Sequence, residues 1–495
     1  MRRPARAERR ALPIAGFERF LQDDRSLPGS ILLILLILSN RSFQICDLDI
    51  ARSFPYLPRG VNIVQITPGA GGMYCGGCFR DNALVAALRK LGHDTLMLPL
   101  YLPLTLDEAD QSAGTPIFFS GVNVYLEQKL PWFRRAPDWL HRALASPRLL
   151  KRLGHLAGKT RAEEVGELTV SMLRGEEGNQ AREVDTLVTW LKQNHRCDVL
   201  SLSNVILAGM ARRLKQELRV PIVCMLQGED TFLDGLPEAQ RATAWTVIRE
   251  RARDIDLFIA PTRYFGDLMA QRLNVTAERV RVVHNGINLD GYANGPRSAS
   301  PAPPTLGYFA RMCPEKGLGL AVDVFIELKK RARVPGLKFH VGGGCGPGDE
   351  PFVAGQRTKL ERADVLNDVS FFPNVTREEK IRFLQSLDVF CTPALYGEAF
   401  GLYVIEALAA GTPVVQPRHA AFPEIVEATG GGLISGTTAN ALADSVESLL
   451  LDRPRARSLA ETGQRAVLQH FHVERMARGV MDVFESAKQI VNRKS

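Results

Sequence analysis

The sequence predicts an α/β protein of two Rossmann-like halves, each a parallel sheet covered by helices, facing each other across a deep cleft. Three observations predict it. Short apolar strands alternate with helix-like segments from residue 61 onward. A run rich in Pro, Ser, Gly and Ala, YANGPRSASPAPPT at 292–305, interrupts that alternation, which then begins again. The chain has 495 residues, more than the ~250–300 at which a single hydrophobic core stops growing.

In the first half, VNIVQI (61–66) is a short apolar strand. DNALVAALRKLG (81–92) reads as a helix, with Leu84, Leu88 and Leu91 on one face and Gly92 as its stop. DTLMLPLY, CDVLSLS, VPIVCML, DLFIAP and VRVVHNG supply later strands, joined by helical segments such as AGMARRLKQEL. Strands that are apolar along their length and alternate with helices require a parallel sheet buried on both faces. This domain spans 61–290, with an insertion at about 131–180. Within it, PWFRRAPDWLHRALASPRLLKRLGHLAGKT (131–160) holds seven Lys/Arg against one Asp, with Trp139, Leu140, Ala143 and Leu144 on one helical face. A helical lid packed on its own domain is the favoured reading; peripheral contact with an anionic membrane is the alternative that a basic amphipathic helix allows. After a linker at 291–304, TLGYFA, LKFHVGG, VSFFPN, DVFCTP and PVVQP repeat the pattern over 305–470. Residues 471–495 are expected to form a helix crossing back to the first domain.

Hydrophobic residues at 45% and charged residues at 23% are the proportions of a soluble globular protein. The formal charge of +8 suggests nucleic acid until it is located: residues 1–60 carry ten arginines against six acids, so +4 of it lies there. No zinc finger, recognition helix or Arg-Gly-aromatic module accompanies it, which sets a nucleic-acid partner aside. The block ILLILLIL at 31–38 is too short for a membrane span, which needs ~20 residues, and it lacks the cleavage site of a signal peptide. Since α/β domains often start on a strand such as VNIVQI, residues 1–60 are expected to be a disordered or non-native extension, with translation beginning at Val61. Eight irregularly spaced cysteines make no disulfide framework in a chain this long. Reduced thiols in the cytoplasm are the expectation, with the inner membrane face as the place of any peripheral contact.

The stretch YGEAFGLYVIEALAAGTPVV (396–415) carries two carboxylates eight residues apart, Glu398 and Glu406. The strand DVFCTP precedes it, and Leu402, Ile405, Leu408 and Ala409 keep helical spacing within it. Glu398 therefore falls in a strand-to-helix loop, where the N–H groups of Phe400, Gly401 and Leu402 favour an anion such as phosphate. A carboxylate there suits sugar hydroxyls, and Glu406 further along suits a ribose diol. Taken singly, each glutamate is more simply a helix-dipole partner or a solvated side chain. FARMCPEKGL (309–318) adds Arg311 and Lys316 in the loop after the first strand of the second half, two cations that suit a diphosphate. HVGGGCGPG gives a nucleotide a glycine-rich approach at Gly343. TPGAGGMYCGGCFRDNAL offers Gly71 and Gly72 to donor phosphates and sugar. That last loop is too long for a dinucleotide fingerprint, and no acidic residue ends the second strand, so a dehydrogenase is disfavoured.

In order and spacing, RMCPEKG, VGGGCGPG, YGEAFGLYVIEALAAGTPVV and FPEIVEATGGGLI resemble the retaining glycosyltransferases of family 4, glycosyl transferases group 1, which have the GT-B fold. The resemblance covers 61–490 in layout and is specific mainly in 305–435. It implies that Glu398 contacts donor-sugar hydroxyls, Glu406 holds the ribose, Arg311 and Lys316 neutralise the diphosphate, and Asn374 and Val375 lie by the base. It implies no metal and no cofactor, the nucleotide-diphosphate sugar being a co-substrate. The triplets DLD (47–49) and DID (254–256) are badly placed for a metal, and Cys75 with Cys78 lack a second Cys pair for zinc. Cys313, Cys345 and Cys391 are expected at strand ends facing the cleft. The first half departs from the family where histidines are common. SLSNVILAG offers Asn204, and CMLQGEDTF offers Gln227, Glu229 and Asp230, as acceptor-side residues; Asn288 stands where an Asp is common. The expected function is retaining transfer of a sugar from a nucleotide-diphosphate sugar to a glycan, lipid or small-molecule acceptor. A nucleotide-sugar epimerase or hydrolase on the same fold, and a sensor that binds without turnover, are the alternatives.

Overall fold

The computed structural model describes residues 60–69, 76–102, 104, 106, 108–119, 121–129, 133–135, 162–292 and 303–493. The N-terminal stretch 1–59 and most of the expected linker, 293–302, lie outside them. β1 (Asn62–Thr67), β2 (Asp94–Pro99), β3 (Val199–Leu202), β4 (Ile222–Met225), β5 (Leu257–Ala260) and β6 (Val280–Val282) form one sheet, in the order β2-β1-β3-β4-β5-β6. β7 (Thr305–Phe309), β8 (Lys338–Gly343), β9 (Val369–Pro373), β10 (Val389–Phe390), β11 (Val414–Pro417) and β12 (Gly432–Ser435) form the other, in the order β12-β11-β10-β7-β8-β9. Every neighbouring pair is parallel.

The apolar strands account for this layering. Every residue of β3, β4 and β5 is buried. Because side chains alternate along a strand, Val64, Ile66, Leu200 and Leu202 join one core cluster while Ile63 and Val199 join another. The C-terminal helix Val473–Asn492 supplies Met476, Val480 and Phe484 to the second of these, together with Leu84 and Leu88. The end of the chain thus covers one face of the first sheet. Backbone bonds from Ile287 N to Phe471 O (2.9 Å) and from Val473 N to Ile287 O (3.0 Å) fasten it beside the junction of the halves.

Strand order also decides where a ligand can sit. In the first sheet the chain moves outward from β1 to β2 and then resumes on the other side at β3; in the second it moves from β7 to β8 and β9 and resumes at β10. Loops leaving neighbouring strands at such a switch point diverge and open a crevice at the carboxyl ends. The second sheet's switch point lies between β7, which leads to Arg311 and Lys316, and β10, which leads to Glu398.

Two elements differ from expectation. The first helix starts at Gly76 rather than at Asp81. Intrinsic propensity argues against a Gly-Gly start, and a Cβ at Gly77 would lie 2.9 Å from Gln227 Oε1, so the bare backbone lets that side chain lie close. β12 runs through a glycine-rich stretch whose composition does not suggest a strand. A Cβ on Gly432 would meet Val414 O at 2.1 Å, and the bare backbone permits the pairing with β11.

Candidate active site

A cavity of about 330 Å³ lies between the carboxyl ends of the two sheets. The first half contributes Gly76, Gly77, Arg80, Glu108 and Gln227 to its lining; the second contributes Arg311, Lys316, Gly343, Glu398 and Glu406. Glycine geometry brings the second half's loops together. Gly317, at φ 75°, ends the Arg311–Lys316 loop, and a Cβ there would be 2.2 Å from Pro393 O. The two loops can therefore touch only at a glycine. Gly401, at φ 82°, caps the helix Leu402–Ala409 that follows the Glu398 loop.

Glu398 is buried with a cation and two phenols. Lys316 Nζ lies 2.6 Å from its Oε2, and the hydroxyls of Tyr403 (2.8 Å) and Tyr396 (3.2 Å) donate to the same oxygen. The lysine also bonds the Tyr396 hydroxyl. Burial disfavours the Lys316 ammonium, but the charge of Glu398 and the contact with Tyr396 outweigh it and hold its pKa above the ordinary lysine value. Burial, followed by the charge of Glu398, raises both phenols, so they remain O–H donors at neutral pH.

The other two expected charged residues also have partners. Arg311 places Nε 3.1 Å and Nη2 2.9 Å from the Asp349 carboxylate, which in turn accepts from Gly346 N at 3.0 Å. Glu406 Oε1 lies 2.9 Å from Lys380 Nζ, both nearly buried. Sequence reading missed Asp349 and Lys380. Asp349 stands just after the glycine run, and Lys380 lies on the helix Arg377–Gln385 behind its Thr376 capping box; neither position carries a motif.

Of the expected donor-side residues, Gly343, Val375, Phe400, Gly401 and Leu402 line the cavity, whereas Asn374 does not. Its amide is closed on the backbone of Cys345, accepting from N and donating to O at 2.9 Å each. That clamp holds the glycine loop in place. Gly71 and Gly72 lie outside the described residues. On the acceptor side, only Gln227 of the four expected residues reaches the cavity. Glu229 turns inward and accepts from Val205 N (3.1 Å) and Gln227 N (2.5 Å). Burial pushes its carboxyl up while those N–H groups pull it down, with a net rise. Asn204 caps the turn Val205–Met210, and Asp230 is buried on the short helix Glu229–Asp234. The cavity instead takes Arg80, paired with Asp81 and donating to Ser203 O at 3.3 Å. It also takes Glu108, which meets Arg377 of the second half at 3.4 Å.

Among the described residues no group of three or more His, Cys, Asp or Glu could hold a metal. Of the DID triplet, Asp254 pairs with Arg212 (3.2 Å) and Asp256 with Lys215 (2.7 Å), which is structural use; DLD at 47–49 lies outside the described residues. Cys78 is buried, and Cys75 is outside the described residues. Cys313, Cys345 and Cys391 do not line the cavity, contrary to expectation; Cys391 belongs to the core of the second half. Of 131–160 only Phe133–Arg135 is described, a short turn with Phe133 buried and Arg134 Nε donating to Glu127 O at 2.7 Å. No helix among the described residues is long and apolar enough to cross a membrane.

Comparison with known proteins agrees with this geometry. Residues 160–290 match the family model Glycosyltransferase Family 4, and residues 296–466 match Glycosyl transferases group 1. The D-inositol 3-phosphate glycosyltransferase of Mycolicibacterium smegmatis is 29% identical over 231 residues, 44% of this chain and 51% of that protein. The lipopolysaccharide core biosynthesis mannosyltransferase LpsB of Rhizobium meliloti is 30% identical over 191 residues, 38% of this chain and 52% of that protein. The chain spans about half the length of the curated relatives it matches. Among solved structures, sucrose-phosphate synthase from Thermosynechococcus elongatus superposes with a TM-score of 0.59 at 18% identity, covering 86% of this chain and 98% of that one. Anabaena HepE in complex with UDP gives 0.59 at 17%, covering 86% and 100%. With both family models matched in order along one chain, over two parallel sheets that face a common cleft, the protein belongs to the family 4, group 1 glycosyltransferases of GT-B fold.

Proposed function

We propose that the protein is a retaining glycosyltransferase that moves a sugar from a nucleotide-diphosphate sugar to an acceptor hydroxyl in this cleft. One observation carries the reading: Glu398, Lys316, Arg311 and Glu406 line a single cavity at the switch point of the second sheet. The relatives named as glycosyltransferase and mannosyltransferase support it, as do HepE structures described as complexes with UDP-glucose and with UDP and glucose.

In this reading the nucleotide lies along the glycine loop at Gly343 and Val375, and Glu406 accepts the ribose hydroxyls. The diphosphate faces Lys316 and the Nη1 side of Arg311, whose remaining face Asp349 holds. The sugar lies by Glu398. As the bond between the sugar and the diphosphate breaks, negative charge grows on the phosphate and is met by the two cations already in the cleft. Positive charge grows on the sugar ring beside a carboxylate. The acceptor hydroxyl, arriving from the Arg80–Gln227 side on the face the diphosphate leaves, attacks with retention and passes its proton to the departing phosphate oxygen.

The test offers UDP-, GDP- and ADP-sugars and measures released nucleotide, with and without cell extract as a source of acceptor. Release that rises with extract and is lost in Lys316→Ala supports transfer. Release unaffected by extract indicates hydrolysis. Tight binding without release indicates a sensor.

A further inference from the structure

Three donors converge on one oxygen of Glu398: the Lys316 ammonium at 2.6 Å, the Tyr403 hydroxyl at 2.8 Å and the Tyr396 hydroxyl at 3.2 Å, all on Oε2. The lysine also rests over both rings, 4.5 Å from the Tyr396 centroid and 5.7 Å from that of Tyr403. The tyrosines come from different elements, Tyr396 from the loop after β10 and Tyr403 from the first turn of the helix Leu402–Ala409. Both phenols and the lysine line the same cavity as Glu398. A packing role would need only the rings. The hydroxyls are directed at the carboxylate.

Lys316 has two calls on one charge. A diphosphate carries more negative charge than one carboxylate and competes for the same ammonium. If the lysine were the only anchor, Glu398 would lose its orientation at the moment the sugar needs it. Neutral phenols do not follow the phosphate, and their ring faces let the ammonium shift while it stays in favourable contact.

We propose that Tyr403, together with Tyr396, is a positioning residue that keeps Glu398 aimed at the transferred sugar while Lys316 turns from that carboxylate to the departing diphosphate. The proposal rests on the glycosyltransferase reading above. It assigns the second and third donors on Oε2 a task distinct from that of Lys316.

The experiment compares Tyr403→Phe, Tyr396→Phe and the double variant, each in the wild-type and Glu398→Ala backgrounds. It measures single-turnover rates with the active donor and calorimetric affinity for the matching nucleoside diphosphate. Phenylalanine keeps the rings and their packing. In the wild-type background Tyr403→Phe should slow turnover roughly tenfold, and the double variant more, because each loses a bond to an ionised group. Affinity for the nucleoside diphosphate should stay within about twofold, since its binding does not need the Glu398 orientation. In the Glu398→Ala background the same changes should cost no more than about twofold, since a hydroxyl acting through Glu398 has nothing left to act on. A wild-type rate in both single variants, an equal loss with and without Glu398, or a parallel loss of affinity would each overturn the proposal. Absence of donor turnover in the wild type overturns the functional reading first and this proposal with it, so the two failures are distinguishable.

Discussion

Glu406 shares one carboxylate oxygen with Lys380 at 2.9 Å, whereas Glu398 receives three donors on a single oxygen, and removal of the two should fail in different ways. In the proposed function Glu406 bonds a ribose in ground and transition states alike. Glu406→Ala should therefore weaken nucleoside diphosphate binding by tenfold or more, from the ~1.5–3 kcal/mol of a charge-assisted bond. Glu398→Gln keeps the shape and loses the charge that, in the same proposal, stands beside a sugar becoming cationic. Its turnover should fall far more than its affinity for the nucleoside diphosphate. Calorimetry beside single-turnover kinetics reads both. Normal binding by Glu406→Ala, or normal turnover by Glu398→Gln, would mean the roles are wrongly assigned. The eight-residue spacing of these glutamates was legible in the sequence because loop and helix are local. Their pairing with cations was not, since Lys316 lies 82 residues from Glu398 and Lys380 lies 26 from Glu406.

The loop after β8 depends on one backbone position. Gly343 has φ 126°, and a Cβ there would lie 1.9 Å from Ala310 O, in the loop that leads to Arg311. Gly343→Ala must displace that loop and should cost about 2–4 kcal/mol, with loss of nucleoside diphosphate affinity. At Gly348, five residues away, a Cβ would meet no atom within 4 Å beyond its chain neighbours, so Gly348→Ala should change stability by no more than about 0.5 kcal/mol. Denaturant midpoints at constant slope separate the two cases. A second element-level feature concerns the helices Gly121–Lys129 and Ala181–Asn194. Burial raises Glu127 to about 7; burial and then the neighbouring Glu127 raise Glu183 to about 8, against Arg182, with Arg134 also opposing at Glu127. A carboxyl whose folded pKa exceeds its unfolded value stabilises most below the unfolded value and loses that contribution as pH rises through the folded one. Stability from this pair should thus be fully present below about pH 4.3 and decline through pH 7–8. Glu183→Gln should flatten the decline in a midpoint-against-pH series; an unchanged slope would remove the pair as its cause.

The two halves are fastened around the helix Arg263–Leu273, close to the Glu398 loop. Thr262 Oγ1 donates to Ala399 O at 2.8 Å, and the Ala399 side chain sits in a core cluster of the first half. Glu424, from the second half, accepts from Arg263 N (2.9 Å) and Tyr264 N (3.0 Å) at that helix's first turn. The residue next to Glu398 is thus plugged into the opposite half. Thr262→Val should lower turnover roughly tenfold through loss of a buried bond. Nucleoside diphosphate affinity should change little, because the groups proposed to hold the nucleotide lie in the second half. Thr262 also caps its helix by accepting from Phe265 N, so Thr262→Ser, which keeps both bonds, is the control and should restore the rate. Equal turnover in Thr262→Val and the wild type would mean that this contact does not bear on catalysis.

Apolar periodicity and glycine placement are read between near neighbours, and from them the chain's own order yields two parallel sheets, the loop that carries Glu398 and the loop that carries Arg311 and Lys316. Those features depend on residues a few positions apart, where the period of a strand or helix acts directly. Strand order, and therefore the crevice between β7 and β10, arises only when crossovers pack. The same is true of the inward turn of Glu229, the use of Asn374 as a backbone clamp and the meeting of Arg377 with Glu108 across the cleft. Each joins segments that are far apart in the chain or depends on which face is buried. A polar side chain has the same letter whether it is spent on the backbone or left to a ligand, and only the folded packing decides between them.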